Sequence, residues 1–217
     1  VLYTNGGSIR DYIGREVYTE DPLPLVSIPT TVGTGSEVTR ACAIKDPNTN
    51  TKEIIGGASM ASKIALLDAE LLSTLPSHVV AATGMDTLTH AIEGYMSQNS
   101  SEVTDALNLH AIKLVGKYLR EAVADSSNTE AIQKMLEAST ITGIGFGNAL
   151  LGLVHSISHA IGGHYDAPHG VLNGILLPKV FAYNWIGNQA KLIGIAQALS
   201  IKTEDRLIED VADDVIN

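Results

Sequence analysis

Four histidines fall within fifteen positions of this 217-residue chain, at His155, His159, His164 and His169. A fifth, His90, follows Asp86 by four residues in Gly84-Met85-Asp86-Thr87-Leu88-Thr89-His90. On a helix, side chains four apart are offset by only about 40° around the axis, so that carboxylate and imidazole share one face. Such a pair can grip one cation from a single turn. His155 and His159 repeat the spacing, and His169 follows in Ala167-Pro168-His169-Gly170, a loop able to fold back. Taken alone, an Asp and a His four apart read as an exposed surface pair. Lone histidines such as His78 and His110 read as surface or hydrogen-bonded residues. The company of the cluster changes its reading. Leu150, Leu151, Leu153, Val154 and Ile157 flank His155 and His159, so at least one of these imidazoles enters a dry core. Unpaired buried polar groups are costly, and one metal ion would satisfy several together. Spacing leaves open which of His155, His159, His164 and His169 are ligands.

A second place for chemistry is Pro29-Thr30-Thr31-Val32-Gly33-Thr34-Gly35-Ser36-Glu37. A strand running into small and hydroxylated residues can wrap N–H and O–H groups around a phosphate or ribose. A lone Gly-Thr-Gly is otherwise a plain connecting loop. Asn5-Gly6-Gly7-Ser8 has no apolar strand before it and reads as a turn.

The elements that must position these residues fall into two parts. Residues 1–75 are punctuated by glycine and proline. Leu25-Val26-Ser27-Ile28 predicts a buried strand, and 64–68 a second short apolar one. Residues 38–44 and 52–55, around the polar run Asp46-Pro47-Asn48-Thr49-Asn50, predict a hairpin. From Pro76 the texture becomes helical, with no further proline until Pro168. Apolar residues at three- and four-residue spacing predict helices at about 77–98, 103–123, 129–144 and 147–162. Two more are expected over 171–184 and 188–199, followed by a charged tail. The expected organisation is an α/β part over 1–75 and an all-helical domain over 76–217.

Composition narrows the function classes. Apolar residues make up 45% and charged residues 18%, which suits a folded core and argues against disorder. The formal net charge of -10 repels phosphate backbones and anionic lipid, so neither nucleic acid nor a membrane surface is an expected partner. The single cysteine, Cys42, allows no internal disulfide and no multi-thiolate metal site. That usage fits a reduced, cytoplasmic setting.

In this order the motifs resemble the iron-dependent alcohol dehydrogenase family, whose members include lactaldehyde reductases and propanediol dehydrogenases. The stretches that carry the resemblance are Ile28-Pro-Thr-Thr-Val-Gly-Thr-Gly-Ser-Glu37, Ala82-Thr-Gly-Met-Asp-Thr-Leu-Thr-His-Ala-Ile-Glu-Gly-Tyr95 and Gly152-Leu-Val-His-Ser-Ile-Ser-His-Ala160. A fourth runs from Ala167 to Pro178. The resemblance implies a dehydroquinate synthase-like architecture, with a partial α/β nucleotide-binding domain ahead of an all-α metal-binding domain. It implies Asp86, His90, His155 and His169 as metal ligands and His159 as the proton-relay residue beside nicotinamide and substrate. His164 matches no family ligand and is expected to line or cap the site. Thr30, Thr31, Thr34, Thr39 and Lys52 carry over as cofactor contacts, the lysine as a cation for the diphosphate or ribose region.

The implied activity is hydride transfer between a short-chain alcohol or aldehyde and NAD or NADP. The implied metal is Fe(II), with Zn(II), Mn(II) or Ni(II) also suited to one carboxylate and three imidazoles. A homo-oligomer is compatible with the resemblance. The family's upstream Gly-Gly-Gly-Ser-x-x-Asp phosphate loop is not matched here. By the resemblance, then, the chain is the central portion of a longer one, with its metal half present and its cofactor half incomplete. Two alternatives remain at this stage: a catalytically incompetent metal-binding helical domain, and a related metal-dependent lyase or glycerol dehydrogenase-like enzyme. The Thr30–Glu37 loop and His159 favour the dehydrogenase over the lyase, and cofactor binding separates it from the incompetent domain.

Overall fold

The computed structural model describes residues 1–217. One turn of helix, α1 (Leu2–Asn5), precedes β1 (Gly14–Arg15), β2 (Val26–Ser27), β3 (Ala41–Asp46), β4 (Thr51–Gly56) and β5 (Ile64–Ala65). β3 and β4 form the expected hairpin, with Ala41 opposite Gly56 and Asp46 opposite Thr51, and β1 adds in parallel to β4. Its turn is closed by the Asp46 carboxylate, which accepts from the Asn48 N–H at 2.9 Å. Asn50 takes the left-handed conformation there, at φ 55°. β2 and β5 form a separate parallel pair.

The two apolar strands differ from their sequence pattern. Each shrinks to two residues, and Leu25, Val26, Ile28, Ile64 and Leu66 are all exposed rather than buried. A parallel pair needs cover on both faces, and these side chains are left about half exposed. Apolar composition marked the strands but could not say what lies against them.

Seven helices follow: α2 (Ser77–Met96), α3 (Glu102–Ala124), α4 (Thr129–Ala149), α5 (Leu153–Tyr165), α6 (His169–Asn184), α7 (Gln189–Ala198) and α8 (Ile208–Ile216). Side-chain caps open two of them. Ser101 accepts from the Thr104 N–H ahead of α3, and Asn128 from the Ala131 N–H ahead of α4. Ala91, Ile92 and Tyr95 of α2 share one core with Ile112 and Val115 of α3, Met135 and Leu136 of α4, and Leu177 and Phe181 of α6. α2 is therefore walled in on several sides, and its polar residues have little access to water. No single helix is long and apolar enough to cross a membrane.

Three boundaries depart from the pattern. α4 runs on to Ala149, and the chain then turns a corner at 150–152, so no helix begins at 147. Leu150 adopts φ 69°, and α5 leaves at 101° to α4. Leu150 and Leu151 within the corner and Leu153 just after it carry the apolar pattern through, which hides the break. α6 begins at His169, two residues earlier than expected. The charged tail contains α8, whose Val211 and Ala212 are buried while its acidic residues face water.

The threonine-rich loop is fastened to the helices. Thr87 on α2 donates to the Val32 carbonyl at 2.6 Å. The Gly35 N–H donates to Ser139 Oγ on α4 at 3.0 Å. Gly35 has φ 57°, and a Cβ there would meet Gly143 Cα and the Ser139 carbonyl at 2.9 Å, so the position requires glycine twice over. Buried Glu37 accepts from Thr140 Oγ1 at 2.6 Å.

Candidate metal centre

Asp86, His90 and Glu93 follow one another at helical spacing on α2, and all three are buried. α5 brings His155 against them from its first turn, and His169 enters as the first residue of α6. The distances from Asp86 Oδ1 to Nε2 are 3.9 Å for His90, 3.6 Å for His155 and 3.5 Å for His169. Ligand atoms of Asp86, His90 and His155 all lie within 4.8 Å of one another. These gaps are too wide for direct hydrogen bonds. Ligands about 2.1 Å from a tetrahedral ion stand roughly 3.4 Å apart, so the donor set fits a divalent cation. One hard oxygen and three borderline imidazoles suit a first-row transition metal.

A surrounding layer fixes the rings. His90 is stacked between Phe146 at 4.2 Å and His155 at 4.5 Å between centroids. Glu93 Oε2 lies 2.6 Å from His155 Nδ1, while Glu93 Oε1 accepts from the Val154 N–H at 2.6 Å. The corner before α5 needs Gly152, because a Cβ there would stand 2.9 Å from Glu93 Oε1. Ser158 Oγ lies 3.3 Å from His169 Nδ1. Carboxylate–imidazole pairs of this kind set the tautomer and raise ligand basicity. Glu93→Gln is therefore expected to weaken Zn(II) binding by about 10–100-fold, read by competition with a chromophoric chelator.

Burial and charge oppose each other in this site. Burial raises the Asp86 carboxyl, but His90, His155 and His169 more than reverse it and hold the group well below the usual carboxylate range. Burial likewise raises Glu93, and its contact with His155 outweighs that and lowers it. Burial takes His90 down to about 4 against the pull of Asp86. It takes His169 to about 4 as well, helped by His155, His159 and Lys52. For His155 burial again works downward, yet Asp86 and Glu93 together raise it.

These directions give a pH dependence. Between pH 6.5 and about 4 the unfolded chain binds protons that His90 and His169 refuse in the folded chain, so stability falls as pH drops. The upward shift of His155 acts above that window, because its contribution is complete below the unfolded value. In chelator, His90 alone is expected to remove roughly 3 kcal/mol across the window, read as a falling urea midpoint.

His159 stands beside the cluster rather than in it. It is half-buried, with its ring 5.0 Å from that of His169 and 6.0 Å from that of His155. Burial, then His155, then Lys52 lower its pKa, which favours the neutral ring. Lys52, half-buried on β4, reaches α5, where a Cβ on Gly162 would meet its Nζ at 3.3 Å. Thr30 and Thr34 are exposed and Thr31 and Thr39 half-buried, on the loop that docks against α2 and α4. Thr34 bonds within that loop, to Ser36 Oγ at 3.0 Å. His164 is exposed at the end of α5 beside Tyr165, and His78 and His110 are exposed as expected.

Three residues of the site escaped the sequence reading: Glu93, Ser158 and Asn173. Glu93 had a signal, lying seven residues after Asp86 and three after His90 on the same helical face. Asn173 had one too, four residues after His169. Ser158 had none, because a serine in a helix is usually just a surface residue.

Family models agree with this architecture. Residues 1–69 match the iron-containing alcohol dehydrogenase model, and residues 80–217 match the C-terminal model of the Fe-containing alcohol dehydrogenase family. The chain belongs to the iron-containing alcohol dehydrogenase family, and its small sheets followed by an all-helical part are the dehydroquinate synthase-like fold. Among relatives, 1,3-propanediol dehydrogenase of Citrobacter freundii is 41% identical over 213 residues, covering 98% of this chain and 55% of that protein. NAD-dependent methanol dehydrogenase of Bacillus methanolicus is 40% identical, covering 92% and 52%. A crystal structure of 1,3-propanediol oxidoreductase superposes with TM-score 0.95 at 40% identity, covering 99% of this chain and 56% of that one. The chain thus spans about half the length of the relatives it matches.

Proposed function

We propose that this chain carries the metal half of an oxidoreductase site that moves hydride between a short-chain alcohol or aldehyde and NAD or NADP. The observation that carries the reading is the buried convergence of Asp86, His90 and His155, with His169 Nε2 3.5 Å from the same carboxylate oxygen. These four residues would hold Fe(II), or alternatively Zn(II), Mn(II) or Ni(II). The ion, when bound, supplies Lewis acidity that makes an alcohol more acidic and a carbonyl more electrophilic.

The chain's own groups do the rest. Asp86 is the one charged ligand, so the ligand shell would offset only part of a divalent ion's charge, which favours a developing alkoxide. Glu93 and Ser158 hold the His155 and His169 rings in place. His159, lying outside the ligand cluster and favoured as the neutral ring, accepts the proton that leaves as hydride departs from the carbinol carbon. In aldehyde reduction it returns that proton. Thr30, Thr31, Thr34 and Thr39 offer hydroxyl and backbone donors to the cofactor, and Lys52 offers a cation to its diphosphate or ribose. One relative is named as NAD-dependent, which supports a nicotinamide acceptor.

The test is direct. Purified chain loaded with Fe(II) or Zn(II) should bind NAD(H) and form NADH on addition of propanediol or a similar alcohol. Metal uptake without either result would reject the catalytic reading and leave a metal-binding helical domain.

A further inference from the structure

Asn173 lies one turn after His169 on α6 and is fully buried. Its Nδ2 stands 2.7 Å from Asp86 Oδ1, and 3.2 Å from Nε2 of both His155 and His169. Its Oδ1 is buried with no partner. The three atoms facing the amide nitrogen are donor atoms assigned above to the cation. What each ring offers follows from its other side. Glu93 takes the His155 Nδ1–H at 2.6 Å. Ser158 Oγ donates to the His155 carbonyl at 3.2 Å and is free to accept the His169 Nδ1–H at 3.3 Å. In the neutral rings, both Nε2 atoms therefore turn a lone pair towards Asn173.

An imidazole nitrogen has one such lone pair, so it either accepts an N–H or binds a cation. The amide nitrogen cannot become a ligand itself, since it carries donors only. It is also an imperfect occupant: two hydrogens face three acceptors, and the amide oxygen is unsatisfied.

We propose that the Asn173 amide is the cation's internal competitor. Its N–H groups hold Asp86, His155 and His169 in register when no ion is bound, and an entering ion displaces them from the imidazoles. Without that amide, the buried Asp86 charge would lose a 2.7 Å donor, and the lone pairs would face one another uncompensated. The amide is neutral, so it can keep the site assembled and still give way to a divalent charge.

This inference rests on the ligand assignment above, and its test separates the two. Wild type, Asn173→Leu and Asn173→Ser are compared on the full chain at about pH 8, above the ordinary imidazole range. Zn(II) affinity is read by competition with a chromophoric chelator, and thermal midpoints are read in EDTA and in Zn(II). Leucine has a similar shape and no donor. Its variant should melt below wild type in EDTA, close to wild type in Zn(II), and bind Zn(II) about tenfold more tightly. Serine keeps one donor and should fall between. If the leucine variant does not fold in EDTA, the serine variant carries the comparison. Equal or weaker Zn(II) affinity in the variants would overturn the competitor role while leaving the ligands standing. A wild-type chain that takes up no Zn(II) would overturn both.

Discussion

His155→Ala is expected to abolish metal retention. His155 is the ligand on which the rest of the site depends most. It supplies one donor atom itself, forms one wall of the His90 stack, and occupies one oxygen of buried Glu93. Losing an outer partner such as Glu93 costs about 10–100-fold in affinity, and losing a first ligand should cost far more. The variant also leaves Glu93 as a buried carboxylate held only by backbone N–H groups, which is destabilising by about 3 kcal/mol or more. Elemental analysis after dialysis should show stoichiometric metal in wild type and none in the variant. A melting comparison guards against simple unfolding: metal should raise the midpoint of wild type and leave the variant's unmoved. Unchanged metal content would reject the ligand assignment outright.

The second large effect is on turnover. His159→Ala should keep its metal and lose about 10²–10⁴-fold in rate, the usual worth of a positioned general base. Its ring sits 5.0 Å from that of His169 and makes no hydrogen bond to Asp86, so the ligand cluster stays intact without it. A flattened pH–rate profile should accompany the loss, because the group that takes the proton is gone. Metal loss in this variant would mean that His155 and His159 exchange the roles given to them here.

Much of this arrangement was legible before any coordinates. Asp86 and His90 share a face because they are four apart, and the apolar residues around His155 and His159 mark at least one of them as buried, which His155 is. The hairpin over 41–56 followed from a proline-asparagine turn between β-rich runs. Other features depend on contacts that no local pattern encodes. The corner at Leu150–Gly152 is invisible to periodicity, since apolar residues lie on both sides of it. The strands at Val26 and Ile64 read as buried because composition cannot show whether a second layer is present. Spacing placed His155 and His159 as equals. What separates them is α2, whose Asp86, His90 and Glu93 lie against His155, together with Asn173 of α6, while His159 is left at the edge.

Glu93 has one further role. Gly152, which precedes α5, has no side chain to close the helix's first turn. The amides of Val154 and His155 are met instead by a carboxylate from α2, an anion at the positive end of the helix. α5 thus borrows its start signal from a segment about sixty residues earlier in the chain. The capping of its first turn is therefore coupled to the docking of α2. Amide hydrogen exchange should show Val154 and His155 opening together with the centre of α2, and independent opening would break the link. The ligand on α5 and those on α2 then form and open as one unit.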